Sequence, residues 1–403
     1  MKKSLLAIAA MTAFAGAAQA QSSVTVYGIM DVGYVNQKSD GSGATATTNA
    51  KNSIIGTSAE QTSRLGFRGT EDLGGGKSAF FTVETGLTPT ATNASDWNNR
   101  QSFVGLSSKG LGQASIGTQY TPVFNQLAAT DVGQTNNMPG SAVYPQSAVA
   151  SSTLGSSTNA AGVSPYTGSA SAQMSNNSRG VTVRTTNTIR AKSDTFAGFS
   201  AGAAYTQNAS SSDPAATTET ANNYTGWGVQ ADYTGIKNLY IGAAIQALKS
   251  NNISPTATVA SPTPAPWGNA EGGTNTQDNQ TYAAATYDFG ILKGFVQYVN
   301  RKAESTINAN YFAKRTAQQV GVRSYITPTI EGWASWGNGK ITQYGLSTPS
   351  ANFVAWQVGA NYYLSKRTNL YGIYGSNNLS SSSSSSNVPV NTSAMAVGVR
   401  HTF

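Results

Sequence analysis

Apolar and polar residues alternate with a period of two in many short segments of this chain. Near the amino end, Val24 and Val26 fall on one face while Thr25 and Asp31 fall on the other. The last residues show the same pattern, with Val397, Val399 and Phe403 opposite Gly398, Arg400 and Thr402. Period two indicates β-strand, because successive side chains of a strand point to opposite faces. One apolar and one polar face per strand suit a water-filled barrel in lipid.

Sixteen segments carry this signal. They lie near residues 24–35, 60–70, 77–87, 97–108, 111–118, 179–190, 196–206, 224–234, 238–248, 280–288, 292–302, 314–325, 329–339, 353–363, 368–377 and 393–403. Most are about ten residues long, the length that a tilted strand needs to cross a bilayer. No segment after the amino-terminal leader is apolar enough for a membrane-spanning helix.

The connections between these segments alternate between long and short. The long ones cover residues 36–59, 88–96, 119–178, 207–223, 249–279, 303–313, 340–352 and 378–392; the short ones cover 71–76, 109–110, 191–195, 235–237, 289–291, 326–328 and 364–367. Short periplasmic turns and long external loops are the arrangement of bacterial outer-membrane barrels. We therefore predict an all-β fold, a 16-stranded antiparallel transmembrane β-barrel with both termini on the periplasmic side.

One predicted loop, residues 119–178, is about sixty residues long and mixes apolar with polar residues. Loops of that length are commonly functional or disordered. We expect this loop to fold into the lumen and narrow it as a pore constriction. The alternative is a mobile loop on the outer surface.

Residues 1–20 have the features of a secretory signal peptide. Lys2 and Lys3 precede an Ala-rich apolar stretch, and residues 18–20 read Ala-Gln-Ala, the small-x-small form of a cleavage site. We predict a cleaved signal peptide at 1–20 and a barrel domain at 21–403. An uncleaved anchor is the alternative, but the apolar run is short for a membrane span.

Composition excludes several classes of protein. The chain has no cysteine and one histidine, His401, so it lacks residues for thiolate metal sites, cysteine nucleophiles or multi-histidine zinc sites. We expect no cofactor, no metal and no enzyme activity, although carboxylate-only chemistry such as glycoside hydrolysis stays open. The 25 basic and 17 acidic residues are spread along the chain without a basic run, which does not indicate a nucleic-acid partner.

Seven segments, in the same order along the chain, resemble the general porins of β-proteobacteria. They read SVTVYG at 23–28, DVG at 31–33, SRLGFRGTEDLG at 63–74, RQSFVGL at 100–106, NTIR at 187–190, YLSKRT at 363–368 and VGVRHTF at 397–403. The resemblance spans the whole chain. It implies a homotrimeric outer-membrane porin for small hydrophilic solutes, in which the third external loop forms a constriction.

The resemblance also implies an arginine-rich pore wall that faces acidic groups on this loop. The candidate pore-lining residues are Arg64, Arg68, Arg100, Arg190, Glu84, Asp131 and Thr118. Asp131 matches the loop acid. Thr118 departs from the family, which usually has arginine there, so we expect a modest anion preference. Alternatively, Arg64 and Arg68 pair with Glu84 or Asp31 and leave little net field.

The carboxyl-terminal Phe403 resembles the assembly signal of barrel proteins, with simple packing of the last strand as the alternative. Expected partners are a homotrimer, outer-membrane lipid and lipopolysaccharide, the barrel-assembly machinery and small hydrophilic solutes. Aromatic residues of the predicted strands, among them Trp333, Trp336, Trp356, Tyr362, Tyr363 and Tyr374, suit an interfacial girdle; a sugar-stacking track is the sharper alternative.

Four functions remain open at this stage. The first is a passive diffusion channel in the Gram-negative outer membrane, and the second is a substrate-specific channel. A barrel enzyme and an adhesin with active loops are the less favoured alternatives.

Overall fold

The computed structural model describes residues 23–43, 47–90, 99–145, 181–208, 221–253, 276–306, 310, 312–344, 351–381 and 387–403. The predicted signal peptide and residues 146–178 of the predicted constriction loop lie outside these residues. Within the described ranges, no helix is long and apolar enough to cross a membrane.

A single antiparallel sheet makes up almost all of this structure. Its strands are β1 (Ser23–Gly43), β2 (Thr47–Thr57), β3 (Arg64–Gly74), β4 (Lys77–Gly86), β5 (Asn99–Ser108), β6 (Gly112–Tyr120), β7 (Arg184–Ser193), β8 (Phe199–Asn208), β9 (Ala221–Tyr233), β10 (Leu239–Ile253), β11 (Thr276–Asp288), β12 (Lys293–Ser305), β13 (Phe312–Thr327), β14 (Ile330–Tyr344), β15 (Ala351–Tyr363), β16 (Thr368–Ser381) and β17 (Asn387–Thr402). One helix, α1 (Pro122–Thr130), follows β6.

The sheet closes into a barrel of sixteen positions. From β3 to β17 each strand pairs with the next one along the chain, and β1 pairs with β17, beginning with Ile29 opposite Thr402. Strands β2 and β3 share one position, because the second half of β1 pairs with β2 and the first half with β3. The prediction of a 16-stranded antiparallel barrel is therefore confirmed. The pairing of β1 with β17 closes the barrel, so the membrane-spanning strands satisfy their backbone bonds within the sheet.

Several of the predicted long connections include residues that form strands in the structure. Residues 36–43 and 47–57, assigned to a loop, form a paired strand hairpin, and β10, β11, β14 and β17 also extend into predicted loops. The physical reason is that ladder hydrogen bonds need only backbone groups. Strands can continue past the membrane after the apolar alternation, which reports only the lipid-facing part, has ended.

The two faces of the sheet differ as the alternation predicts. Val83, Val104 and Ile116 are exposed on the outer face, while their neighbours Glu84 and Ser115 are buried on the inner face. An outer band of exposed apolar side chains is the surface that lipid covers in a membrane barrel.

The predicted aromatic girdle requires two corrections, at Trp333 and at Tyr363, whose hydroxyl donates to the buried Glu331 Oε2 at 2.9 Å on the inner side. Trp336, Tyr362 and Tyr374 are exposed on the outer face, as expected. Trp333 is instead buried inside the barrel, where its indole Nε1 donates to Gln357 Oε1 at 3.3 Å. The two tryptophans of β14 are three residues apart, an odd spacing that places them on opposite faces of the strand.

The described part of the predicted constriction loop lies inside the barrel. Thr121 caps helix α1, its Oγ1 accepting from the Phe124 amide at 3.2 Å. The helix packs against the inner side of β9, β10 and β11, where Val123, Phe124 and Leu127 join a buried apolar cluster with wall residues such as Ala244 and Tyr282. Residues 121–144 therefore carry the principal apolar packing of the lumen, in agreement with the inward fold predicted for the loop.

Candidate pore constriction

Glu84 is the centre of a charged cluster on the wall formed by β1 and β3–β6. Its Oε1 accepts from Arg100 Nε at 2.7 Å, its Oε2 accepts from the Tyr27 hydroxyl at 3.1 Å, and Arg64 Nη1 lies 3.9 Å from Oε2. Only 3% of Glu84 is exposed. Two of the predicted arginines thus meet the predicted acid, and this pairing reduces the net field of the wall.

The basic groups of this cluster nevertheless outnumber the acid. Arg68 is exposed, and its guanidinium lies over the Tyr27 ring at 5.3 Å. Gly66 makes room for that ring, since a Cβ at residue 66 would come within 2.3 Å of Tyr27 Cζ. Together, Arg64, Arg68 and Arg100 carry three positive charges against one negative charge on Glu84, so the wall keeps a net charge of about +2 because guanidinium stays protonated at any working pH.

Tyr120 and Thr62 fix the orientation of these arginines. The Tyr120 hydroxyl accepts from Arg100 Nη2 at 3.1 Å, and the Thr62 carbonyl accepts from Arg64 Nε at 2.9 Å. Neither partner was predicted from the sequence. For Tyr120, the signal in the sequence was its position at the end of β6, directly before the loop that enters the lumen.

Arg190 also faces the lumen but belongs to a different part of the wall. Its Nη2 donates to Gln230 Oε1 at 3.4 Å, and its neighbour Lys192 lies 3.8 Å from Asp232. The structure therefore does not bring Arg190 into the Glu84 cluster, and its role in the pore stays a prediction.

Thr118 lies beside an irregularity of β6. The ladder pairs it with Ser102, on the face that carries the exposed Val104 and Ile116, and a bulge follows between Gly117 and Gln119. Thr118 is itself buried, at 9% exposure. That Thr118 stands where a basic pore-lining group is missing stays a prediction.

Asp131 lies against the opposite wall. It follows helix α1, its Oδ2 accepts from the Thr135 amide at 2.7 Å, and burial raises the pKa of its carboxyl group above the usual value. Arg323 of β13 donates through Nη1 to the carbonyl of the next residue, Val132, at 2.6 Å, and its positive charge offsets part of this rise in the pKa of Asp131. The role of Asp131 in the constriction stays a prediction.

A belt of buried glutamines, which the sequence analysis did not identify, holds the loop to its wall. One glutamine comes from each of β9–β13 and β15: Gln230, Gln246, Gln280, Gln297, Gln319 and Gln357, all at 5% exposure or less. The belt is linked across strands, with Gln246 Nε2 donating to Gln280 Oε1 and Gln319 Nε2 donating to Gln297 Oε1, both at 2.9 Å. The sequence signal that could have identified this belt was the recurrence of a glutamine on the polar face of several strands in succession.

Three members of the belt bind the loop directly. Gln246 Oε1 accepts from the Val123 amide at 3.2 Å, and Gln319 Oε1 accepts from the Ala142 amide at 2.7 Å. Gln357 Nε2 donates to the Pro139 carbonyl at 2.9 Å. Backbone groups of a buried loop need such partners, because an unsatisfied buried amide or carbonyl is costly.

The tip of the loop is fastened on the other side by the insert between β2 and β3. The Asn137 amide donates to the Ala59 carbonyl at 3.0 Å, and Asn137 Nδ2 donates to the Ser58 carbonyl at 2.7 Å. The insert is held in turn by the fully buried Asp31, whose Oδ2 accepts from the Glu60 and Gln61 amides at 2.8 and 2.6 Å. Asp31 thus serves the insert and does not pair with Arg64 or Arg68.

A sixteen-position antiparallel barrel with a loop fixed inside it defines a diffusion channel of the outer membrane. The chain matches the profile of the family described as Gram-negative porin over residues 7–382, and it belongs to that family. It is therefore an outer-membrane porin.

Individual relatives agree with this assignment. The chain is 30% identical to outer membrane porin protein 32 of Delftia acidovorans over 92% of its own length and 88% of that protein. It is 29% identical to an outer membrane porin protein of Bordetella pertussis over the whole of both chains. Among solved structures, the anion-selective porin from Comamonas acidovorans superposes with a TM-score of 0.67 at 21% identity, covering 95% of this chain and all of that one.

Proposed function

We propose that this porin is a general diffusion channel with a modest preference for anions. The observation that carries the proposal is the excess of arginine over carboxylate on this wall, where Arg64 and Arg100 lie beside Glu84 and Arg68 lies over the ring of Tyr27. A fixed positive field on one wall of a narrow aqueous passage attracts anions and repels cations. The structural neighbour from Comamonas acidovorans, described as anion-selective, supports this choice.

The assembly that we propose is a homotrimer of the mature chain 21–403 after cleavage of residues 1–20. One solved porin with this fold, OmpT of Vibrio cholerae, is described in a trimer form. The barrel is expected to contact outer-membrane lipid and lipopolysaccharide through its exposed apolar band, and the assembly machinery through its carboxyl-terminal strand. We propose no enzyme activity, since channels and not catalysts define the family.

The reversal potential of the purified protein in a KCl gradient across a planar bilayer tests the preference. Wild type should reverse on the anion side, and Arg64→Ser combined with Arg68→Ser should move the potential towards cations. Lys109→Ser with Lys366→Ser is the matched control, because it removes the same charge from exposed short turns. A cation-selective wild type, or an equal shift in the control, would contradict the proposal.

A substrate-specific channel is the second candidate. Saturation of the flux of one solute at low concentration, with other solutes of the same size and charge unaffected, would favour it over general diffusion.

A further inference from the structure

Two phenylalanines face the aqueous lumen beside the arginine cluster. Val83 and Val104 are exposed on the outer face, so Phe80 on β4 and Phe103 on β5, at odd spacings from these valines, point inward. Both phenylalanines are only partly buried. Apolar side chains left in contact with water inside a pore are informative, because sheet faces in water-filled barrels are normally polar.

The two rings form an edge-to-face pair. Their centroids are 6.3 Å apart and their planes make an angle of 78°. Phe80 occupies the space beside Gly105, where a Cβ would come within 2.4 Å of Phe80 Cζ. The missing side chain at Gly105 on β5 thus leaves space for the Phe80 ring, and the two rings expose aromatic surface to the lumen.

Arginines flank this pair on both sides. Arg68 pairs with Thr82, and Thr82 with Phe103, so Arg68 lies in the same row two strands away, about 10 Å at the strand spacing. Arg190 lies in the row of Phe80, through Gly105 and Ser115.

Both arginines are available to an anion. Among the described residues, neither lies within 4.0 Å of a carboxylate oxygen. Arg68 lies over the Tyr27 ring, and Arg190 makes one long hydrogen bond to Gln230.

We propose that Phe80 and Phe103 form a lumenal binding strip for aromatic carboxylates, with Arg68 binding the carboxylate. A ligand ring would pack against the two phenylalanines while its carboxylate faces a guanidinium. An aromatic surface about 10 Å from a guanidinium along the wall suits an acid with a single ring, which can use both contacts. A simple inorganic anion can use only the guanidinium. The inference rests on the proposed anion preference and adds a substrate class to it.

Block of the chloride current by benzoate tests the strip, with acetate as the probe that has the charge but no ring. In wild type, half-block should need less benzoate than acetate. Phe80→Leu with Phe103→Leu should raise the half-blocking concentration of benzoate about fivefold, the effect of losing an aromatic pair. The acetate value should stay unchanged.

Phe81→Leu is the matched control, because Phe81 packs against Gly69 on the outer face of the same strand. Arg68→Gln should weaken block by both acids. Equal block of wild type by benzoate and acetate, or full benzoate block in the double leucine variant, would overturn the strip. The reversal potential in KCl alone separates this result from failure of the proposed anion preference, because that measurement contains no aromatic acid.

Discussion

Replacing Glu84 with glutamine should increase the anion preference of the pore. Glu84 offsets part of the charge of Arg64 and Arg100 and is nearly isosteric with glutamine. The carbonyl oxygen of the amide can still accept from Arg100, while the NH2 group in the place of Oε2 can donate to the Tyr27 hydroxyl oxygen, which reverses that bond. The substitution therefore raises the charge of the wall by one unit with little change in shape.

The size of the effect follows from Coulomb's law with screening. An ion that passes about 8 Å from the carboxylate feels about 0.5 kcal/mol in water, reduced to about 0.2 kcal/mol at physiological ionic strength. At about 4 Å the screened value is about 0.6 kcal/mol. Since removal of the charge favours anions and disfavours cations equally, the anion-to-cation permeability ratio should rise by about twofold to eightfold.

The assay is the reversal potential in a salt gradient, repeated at low and high ionic strength. The shift should shrink at high salt because screening shortens the reach of the charge. Glu71→Gln serves as the control, since it changes the same charge at an exposed position near the short turn between β3 and β4. A shift no larger than that of Glu71→Gln would refute the placement of Glu84 at the constriction.

Three further outcomes are expected. Asn137→Ala removes the side-chain bond to the Ser58 carbonyl, worth about 1 kcal/mol. The loop should then move more, which should increase the noise of the open-pore current; a noise spectrum like that of wild type would contradict this. Deletion of residues 126–175 should raise single-channel conductance, and unchanged conductance in a folded variant would place the loop outside the conducting path. Phe403→Asp should lower outer-membrane levels more than it alters conductance, because it replaces the ring that packs over Gly28 at the seam between β1 and β17 with a charge; normal levels in cell fractions would remove the assembly role.

The alternation of residues was sufficient to predict the barrel. A lipid-facing strand must present an apolar residue at every second position, so the pattern is imposed by the membrane and survives in the sequence. The inward arginines follow from the same rule, because a charge on the lipid face would be costly near the bilayer midplane. Arg64, Arg68, Arg100 and Arg190 all lie on the inner face as expected.

Partners inside the lumen could not be predicted in the same way. The alternation of apolar and polar residues indicates which face of the sheet a residue lies on. It does not indicate which part of the loop that residue contacts inside the lumen. Asp131 shows the difference, since the sequence identified it as the loop acid but not the strand that it lies against, which is β13, where Arg323 donates to the carbonyl of the next residue, Val132. The insert at residues 58–63, which fastens the loop at Asn137, spans the boundary between the predicted loop 36–59 and the predicted strand 60–70, so neither prediction identified it.

The chemistry of the glutamine belt explains how the loop is held without disturbing the field of the pore. Amides supply both a donor and an acceptor, so they satisfy loop backbone groups without adding charge to the lumen. Gln319→Glu tests this argument, because it adds a negative charge at the belt. The new carboxylate can still accept from the Ala142 amide, but the variant loses the NH2 group that donates to Gln297. We expect reversal to move towards cations while the loop stays in place, whereas Gln319→Leu should leave the reversal potential near wild type and increase current noise. If both variants leave noise and reversal potential unchanged, the belt neither anchors the loop nor borders the conducting path.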